Sequence, residues 1–169
     1  MACFAGNSRR SDAAHCGLRM GAALLSSALL TTTALAGDAS PSSADLAREA
    51  KTLQAVCGKC HNLQIVTDTP RSLDDWRDTM QRMVDRGASG TDDQYDDILD
   101  YLHRTETTID VNSADAAELA TVLNVSDATV KLIVERRSTK KFTGLADLKE
   151  VSGIDATILE AKAKLLYFQ

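Results

Sequence analysis

Apolar residues recur at helical spacing along the chain after residue 42. One apolar face runs from Leu46 through Ala50 and Leu53 to Cys57, at intervals of three and four residues. Ser42 or Ser43 precedes this face, and serine is a favoured residue at a helix start. The pattern therefore predicts a first helix that begins near Ser42 or Ser43.

Two further apolar stripes have the same helical period. The first stripe consists of Leu73, Trp76, Met80 and Met83. The second consists of Tyr95, Ile98, Leu99 and Leu102, and Thr91 stands in front of it as a capping residue. No convincing run of residues alternates between apolar and polar as a half-buried strand would. The sequence predicts an all-α fold.

The first 36 residues have the pattern of a secretory signal. Arg9, Arg10 and Arg19 precede an apolar stretch at 21–33, and Ala34-Leu35-Ala36 follows it. A basic region, a short apolar region and an A-x-A site are typical of a signal peptide. The alternative is an amphipathic or membrane-anchor helix, but the stretch is short for a bilayer span. We expect residues 1–36 to direct export to the periplasm, and we expect no transmembrane segment in the mature chain.

Charge divides the remaining residues into two segments. The chain carries a formal net charge of −5. The acidic side chains are concentrated before residue 107, while the residues that follow are almost balanced. The join at 103–108 is polar and resembles a linker. We expect one domain at 42–105 and a second at 109–167. A chain this acidic is unlike proteins whose main role is to coat nucleic acid.

The sequence Cys57-Gly58-Lys59-Cys60-His61 has the spacing of a covalent haem attachment motif. Cys57 and Cys60 near a helix end are spaced to reach the two vinyl groups of one porphyrin. His61 is then placed to bind the iron from the proximal side. The alternatives are a redox C-x-x-C, a structural disulfide and half of a zinc site. The motif, the export signal and the helical context together favour one covalently attached haem c.

The distal iron ligand has three candidates after residue 36. Met80 and Met83 supply thioether sulfur, which raises the reduction potential of haem iron. His103 is the alternative and would lower that potential. Methionine is also a common filler of apolar cores, so core packing is the competing interpretation of both methionines.

The first segment resembles the small class I cytochromes c, and more closely the haem domains associated with periplasmic dehydrogenases. The resemblance rests on the C-x-x-C-H motif, Arg71 to Trp76, Met83 before Gly87-Ala88, and Tyr101-Leu102. It implies that Met83 is the distal ligand and that Arg71 pairs with a haem propionate. We expect Trp76 to pack at the haem edge with its indole N–H near a propionate. Pro70 is a candidate to place its carbonyl on the proximal imidazole N–H.

The second segment resembles the helix-hairpin-helix domains of bacterial DNA-uptake proteins. The resemblance begins at Ile109-Asp110-Val111-Asn112 and covers two hairpins, at 123–126 and 152–155. DNA-binding hairpins of this family use glycines so that backbone N–H groups at a helix start can approach phosphate. Here the four equivalent positions are Asn124, Ser126, Gly153 and Asp155. We expect Asn124 to adopt the left-handed turn conformation, whereas Asp155 places a negative charge where a phosphate would lie. We expect the hairpins to fold but to lose their grip on phosphate.

One basic cluster favours an anionic partner instead. It consists of Lys131, Arg136, Arg137, Lys140 and Lys141. Such a cluster suits DNA, an acidic protein or the acidic first segment, and its ordinary interpretation is a solvated helix end.

These observations favour an electron carrier without enzymatic activity of its own. We expect it to exchange single electrons with a redox protein partner, a periplasmic dehydrogenase being the candidate that the resemblance implies. The helix-hairpin-helix domain would then be a docking module. The alternatives are a haem-containing DNA-binding protein, which the glycine losses disfavour, and a haem enzyme or gas sensor, which needs an open sixth iron position.

Overall fold

The computed structural model describes residues 42–169, and this part of the chain is mostly helical. Its α-helices in chain order are α1 Ser43–Cys57, α2 Gln64–Thr67, α3 Leu73–Asp85, α4 Asp92–Thr105, α5 Ala116–Leu123, α6 Asp127–Thr139, α7 Leu145–Lys149 and α8 Ala156–Ala161. A 3₁₀ turn spans Ala163–Leu165. Within these residues no helix is long and apolar enough to cross a membrane. The expected signal peptide lies outside the described residues.

Polar side chains cap the starts of the three long helices before residue 106. The side-chain oxygens of Ser42, Ser72 and Thr91 each accept a hydrogen bond from the backbone N–H three residues later. These bonds satisfy backbone donors that the first helical turn leaves without a partner. The predicted helix starts at 42–43 and behind Thr91 are therefore confirmed.

A small apolar core holds α1, α3 and α4 together. Its buried residues, which we call the first core cluster, are Leu53, Val56, Trp76, Ile98 and Leu102. Each lies on one of the apolar faces that the sequence pattern predicts or next to it. So few buried side chains give little apolar stabilisation to a segment of this size.

A larger core holds the residues after 108. This second core cluster consists of Ile109, Val111, Ala114, Leu119, Val122, Leu123, Val130, Ile133, Phe142, Leu148, Val151, Leu159 and Leu165. Four helices, α5 to α8, enclose it. Most of the apolar burial in the described part of the chain therefore belongs to this carboxy-terminal segment.

A two-stranded parallel sheet joins the start and the end of the carboxy-terminal segment. Strand β1 is Ile109–Asp110 and strand β2 is Leu166–Tyr167, with Ile109 opposite Leu166. The all-α prediction omits this pairing, because two residues are too few to establish a period of two. The helical character of the fold is confirmed.

The polar join at 103–108 is not a linker, which corrects the prediction from its composition. Helix α4 continues to Thr105, and Glu106 and Thr107 are both buried. The hydroxyl of Thr107 donates to the carbonyl of Leu102 at 3.0 Å. The carboxylate of Glu106 and the hydroxyl of Thr107 have partners inside the protein, so a polar composition does not mark an exposed segment here.

A buried ion pair connects α1 to α4. Glu49 is only 2% exposed, and one of its carboxylate oxygens contacts the guanidinium of Arg104. The second carboxylate oxygen and the Arg104 Nε are buried without a hydrogen-bond partner. The exposed Arg48 also lies 3.5 Å from Glu49, but Arg104 is the buried cation, so these two buried charges compensate each other.

Lys162 connects the end of α4 to the end of α5. Its ammonium donates to the carbonyl of Arg104 at 2.9 Å and to the carbonyl of Val122. Burial, with a smaller contribution from the positive charge of Arg104, lowers the pKa of Lys162 from 10.5 to about 8. The amine retains two N–H donors when it is neutral, so both carbonyls keep a donor on either side of this pKa.

We expect the Lys162→Met variant to lose part of the rise in stability at alkaline pH. Between pH 8 and 10.5 the unfolded chain holds a proton on Lys162 that the folded chain has released, so the free energy of unfolding rises with pH. Partial exposure of the side chain reduces the effect to about 2 kcal/mol across this window. Urea titrations of the wild type and the variant at several pH values measure the difference in their free energies of unfolding. The contributions of the other titrating groups cancel in this difference. Parallel pH profiles would contradict the assignment.

Candidate functional site

An apolar cavity of about 530 Å³ lies in the amino-terminal segment. Residues of α1, α2, α3 and α4 line it, together with His61 and Asn62 of the turn that follows α1. Its volume lies within the range of cofactor and ligand sites in proteins. The cavity is large for so short a segment, and it borders the first core cluster, from which Leu53, Trp76, Ile98 and Leu102 contribute to its wall.

The C-x-x-C-H motif lies at the end of α1 and reaches the cavity through two of its residues. Cys57 is the last residue of α1 and lines the cavity, and burial raises the pKa of its thiol. His61 also lines the cavity. Cys60 is exposed and is not part of the lining, and both cysteines are free thiols. The motif is therefore not a disulfide in this structure.

The ring of His61 is oriented by its own neighbour. Its Nδ1 lies 3.1 Å from the carbonyl oxygen of Asn62. When Nδ1 carries the proton and donates here, Nε2 is the nitrogen with a free lone pair. This contact replaces the one expected from Pro70, whose carbonyl is not the partner. A metal-binding imidazole is commonly held by a hydrogen bond of this kind.

Two methionines of α3 line the same cavity. Met80 and Met83 are both half-buried and both belong to the wall. Met80 also packs against the first core cluster, whereas Met83 does not. The cavity therefore brings together the imidazole and both thioethers that the sequence offers as iron ligands.

His103, the alternative distal ligand, does not line the cavity. It lies in the last turn of α4, and its Nε2 is buried without a hydrogen-bond partner. Burial lowers its pKa, although Glu118 acts in the opposite direction. Within residues 42–169 no group of three or more histidine, cysteine or acidic side chains is arranged to hold a metal ion. The zinc alternative therefore lacks further ligands in this region.

Trp76 and Arg71 lie side by side on the cavity wall. Trp76 is 2% exposed, and its indole N–H donates to the carbonyl of Glu106 at 3.0 Å. The guanidinium of Arg71 stacks on the indole at 4.7 Å and donates to Thr69 and Thr79. The Glu106 carbonyl accepts the indole hydrogen that we expected near a propionate, and the role of both residues at a haem edge stays a prediction.

The sequence interpretation missed several polar residues of the cavity, among them Arg82, Arg86 and Tyr95. Arg82 and Arg86 join Arg71 in the lining, and none of these three arginines forms an ion pair with any residue of 42–169. Tyr95 also lines the cavity and donates its hydroxyl to the carbonyl of Ala88 at 3.1 Å. The spacing of Arg82 and Arg86 in the sequence could have identified them as cavity residues, because they flank Met83. Arg82 lies within α3, and Arg86 follows its last residue. Three unpaired cations at one cavity favour an anionic ligand.

Two tight turns organise the carboxy-terminal segment. Asn124 has φ 54° at the end of α5, and Gly153 has φ 88° before α8. The left-handed conformation that the sequence predicts at Asn124 is confirmed. Both turns contribute to one small pocket, with Val125 and Ile154 between them. The two hairpins thus lie side by side.

Comparison with known protein families agrees with this geometry. Residues 104–167 match the helix-hairpin-helix motif. The match includes both turns and begins within the last turn of α4. No curated protein and no solved structure matches the chain.

The helix-hairpin-helix segment already uses the backbone donors at the starts of α6 and α8. The Ser126 hydroxyl accepts from the N–H of Thr129 at 3.3 Å. The carboxylate of Asp155 accepts from Thr157 N–H at 2.7 Å and from Ile158 N–H at 3.2 Å. A carboxylate therefore occupies the place at α8 where a helix N-terminus would receive a phosphate.

The predicted basic cluster is largely engaged inside the helix-hairpin-helix segment. Arg137 donates to the carbonyls of Val111 and Ala114, at 2.9 and 2.8 Å. Arg136 pairs with Glu150 at 2.9 Å and packs on the ring of Phe142. Lys131 and Lys141 contact Glu135 and the Gln169 carbonyl. The two arginines are therefore structural, whereas Lys131, Lys140 and Lys141 are exposed.

Proposed function

We propose that this protein is an exported mono-haem cytochrome c that carries single electrons. The observation that carries the proposal is the cavity on which Cys57, His61, Met80 and Met83 converge. Cys57 and Cys60 would attach the haem, and His61 would bind the iron through Nε2. A haem c bound here supplies a one-electron couple. An apolar wall excludes water from the site, which stabilises the couple against side reactions.

Packing favours Met83 over Met80 as the distal ligand. Met80 takes part in the first core cluster, so its thioether already has apolar neighbours in place. Met83 lines the cavity without that engagement, one helical turn further along α3. Its side chain is therefore the one that is free to turn toward the iron.

The three arginines without ion-pair partners favour the binding of a cofactor that carries negative charge. Arg71, Arg82 and Arg86 give the cavity a positive charge in a segment that is otherwise acidic. Two propionates at this position would compensate part of that charge, and arginine pairs well with carboxylates. Arg71 is held by Thr69 and Thr79, so it would meet a propionate with little loss of side-chain freedom.

The proposed location of the protein is the periplasm. Residues 1–36 would be the signal peptide, and residues 42–105 the cytochrome c-like domain. The redox partner is a second protein, with a periplasmic dehydrogenase as the candidate donor or acceptor. The helix-hairpin-helix segment would dock that partner, since its own backbone donors are already used at α6 and α8.

Visible absorption spectra test the haem and its ligands. The full-length protein is produced in a bacterium that attaches haem c in the periplasm, beside the variants Met83→Leu and Met80→Leu. We expect a covalent haem with a six-coordinate low-spin spectrum, lost in Met83→Leu and retained in Met80→Leu. Loss in Met80→Leu alone would transfer the distal role to Met80. Purified protein without haem would overturn the proposal, and a high-spin wild type would favour an enzyme or sensor.

The helix-hairpin-helix match keeps DNA binding as the competing function, and one substitution addresses it. We expect Asp155→Gly to increase affinity for duplex DNA roughly fivefold, because the change removes a negative charge from a helix start that faces phosphate. The loss of the cap lowers stability by about 0.5 kcal/mol. Fluorescence anisotropy at low salt measures the affinity. The control is Asp115→Gly, which removes the cap of α5 away from both turns. Tight binding by the wild type at physiological salt would instead support a DNA-binding protein.

A further inference from the structure

The carboxy-terminal segment reaches the cavity wall through one side chain. The ammonium of Lys164 lies 3.1 Å from the carboxylate of Glu106 and 3.1 Å from the carbonyl oxygen of Thr67. Lys164 belongs to the 3₁₀ turn at Ala163–Leu165, close to the end of the chain. Its two partners, Thr67 and Glu106, end or follow helices α2 and α4, which line the cavity.

Thr67 is the last residue of α2, which is a single helical turn. Two residues of that turn, Ile65 and Val66, line the cavity, and Ile65 is 62% exposed. Residues within α2 are not buried. So short a helix has little stability of its own. The bond from Lys164 satisfies a carbonyl at its carboxy-terminal end, where a cation is also favourable to the helix dipole.

Glu106 is the second partner of Lys164, and it is bonded to two residues of the cavity wall, Trp76 and Arg71. Its backbone carbonyl accepts the indole N–H of Trp76 and, at 3.3 Å, the backbone N–H of Arg71. Its side chain is only 7% exposed, and Lys164 is the cation that pairs with it. A buried carboxylate without that cation would be strongly unfavourable and would move toward water. Movement of Glu106 would then release Trp76 and Arg71.

We propose that Lys164 is a positioning residue for the cavity, because it fixes α2 and the Trp76–Arg71 wall from the helix-hairpin-helix segment. The role deepens the proposed function, since it makes that segment part of the cofactor site. The test does not require haem. Trp76 is the single tryptophan of the chain, so its indole N–H gives one resonance that reports directly on the bond to Glu106.

The experiment is hydrogen exchange by NMR on the full-length protein, with Lys164→Met, Lys164→Arg and Lys149→Met. We expect Lys164→Met to accelerate exchange of the Trp76 indole and of the amides of α2 and Arg71, with exchange in the second core cluster unchanged. Lys164→Arg should restore slow exchange, because arginine keeps the charge and the donors. Lys149→Met is the matched control, as Lys149 pairs with Glu160 away from the cavity.

Indole exchange in Lys164→Met equal to that of the wild type would overturn the proposal. Acceleration throughout the protein, in Lys149→Met as well, would also overturn it, since that result describes general destabilisation. If Lys164→Met does not fold, Glu106→Gln replaces it, and the same acceleration at Trp76 and α2 is expected. A protein that lacks haem but shows this exchange pattern would refute the cytochrome function and leave the positioning role standing.

Discussion

Glu49→Ala lowers the free energy of unfolding by about 4 kcal/mol, because it leaves the Arg104 charge buried without compensation. The Arg104 side chain is 16% exposed, and its contact with Asp100 is long at 3.8 Å. Arg104 also lies in the last turn of α4, where its carbonyl accepts from Lys162. We therefore expect the damage to extend from α1 to the helix-hairpin-helix segment. Urea denaturation followed by far-ultraviolet circular dichroism measures the loss.

A second ion pair between the same two helices provides the control. Arg48 of α1 pairs with Asp97 of α4, and the Arg48 side chain is 55% exposed. Its guanidinium also lies 3.5 Å from Glu49, a longer contact than that of Arg104. The pKa of Asp97 is lowered mainly by its hydrogen bond with Arg48, yet solvent screens an exposed pair, so it contributes little to stability. Arg48→Met should therefore be mild. The double variant Glu49→Leu, Arg104→Met should be more stable than Glu49→Ala, since no buried charge remains. Equal losses in Arg48→Met and Glu49→Ala would refute this account.

Gly153→Ala is expected to lower the free energy of unfolding by about 3 kcal/mol. Its φ of 88° is unfavourable for alanine, at about 1–2 kcal/mol. A Cβ at this position would also lie well inside contact distance of the Thr129 hydroxyl. Thr129 is nearly buried and its hydroxyl contacts Ser126, so the side chain has little room to move. Such overpacking adds a further cost of about 1–2 kcal/mol. Thermal unfolding of the purified variant measures the sum.

The corresponding substitution in the first hairpin introduces glycine instead of removing it, and we expect it to have little effect on stability. Asn124→Gly places glycine at a φ of 54°, a conformation that glycine adopts without strain. Its stability should remain within about 0.5 kcal/mol of the wild type, because relief of strain offsets the greater freedom of the unfolded chain. A loss as large as that of Gly153→Ala would show that turn conformation is not the cause.

The sequence predicted the features that depend on local rules. The helix starts at Ser42 and Thr91 and the left-handed turn at Asn124 follow from side-chain capping and backbone sterics, which act within a few residues. The side of α3 that carries Met80 and Met83 follows from helical period. These predictions needed no knowledge of tertiary contacts.

The predictions that failed concern contacts between residues that are distant in sequence. The indole of Trp76 reaches Glu106, which is thirty residues away. Arg137 supports the turn near Val111 rather than facing solvent. A polar composition does not distinguish a solvated side chain from one with a buried partner, so the join at 103–108 was misinterpreted as a linker and the internal hydrogen bonds of Arg137 were not predicted. The convergence of Arg82 and Arg86 on the cavity was hidden for the same reason.

The buried junction after α4 limits how this protein can be divided. The family match begins at residue 104, inside the last turn of α4, which also carries Leu102 of the first core cluster. A carboxy-terminal fragment that begins at the junction would lose the contact of Arg104 with Glu49 and that of Glu106 with Trp76. An amino-terminal fragment that ends there would lose the bonds from Lys162 to Arg104 and from Lys164 to Glu106. A recombination event that moved one of the two parts into another protein would therefore have to carry residues 102–108 with it. Substitutions in either part are constrained by the sequence of the other.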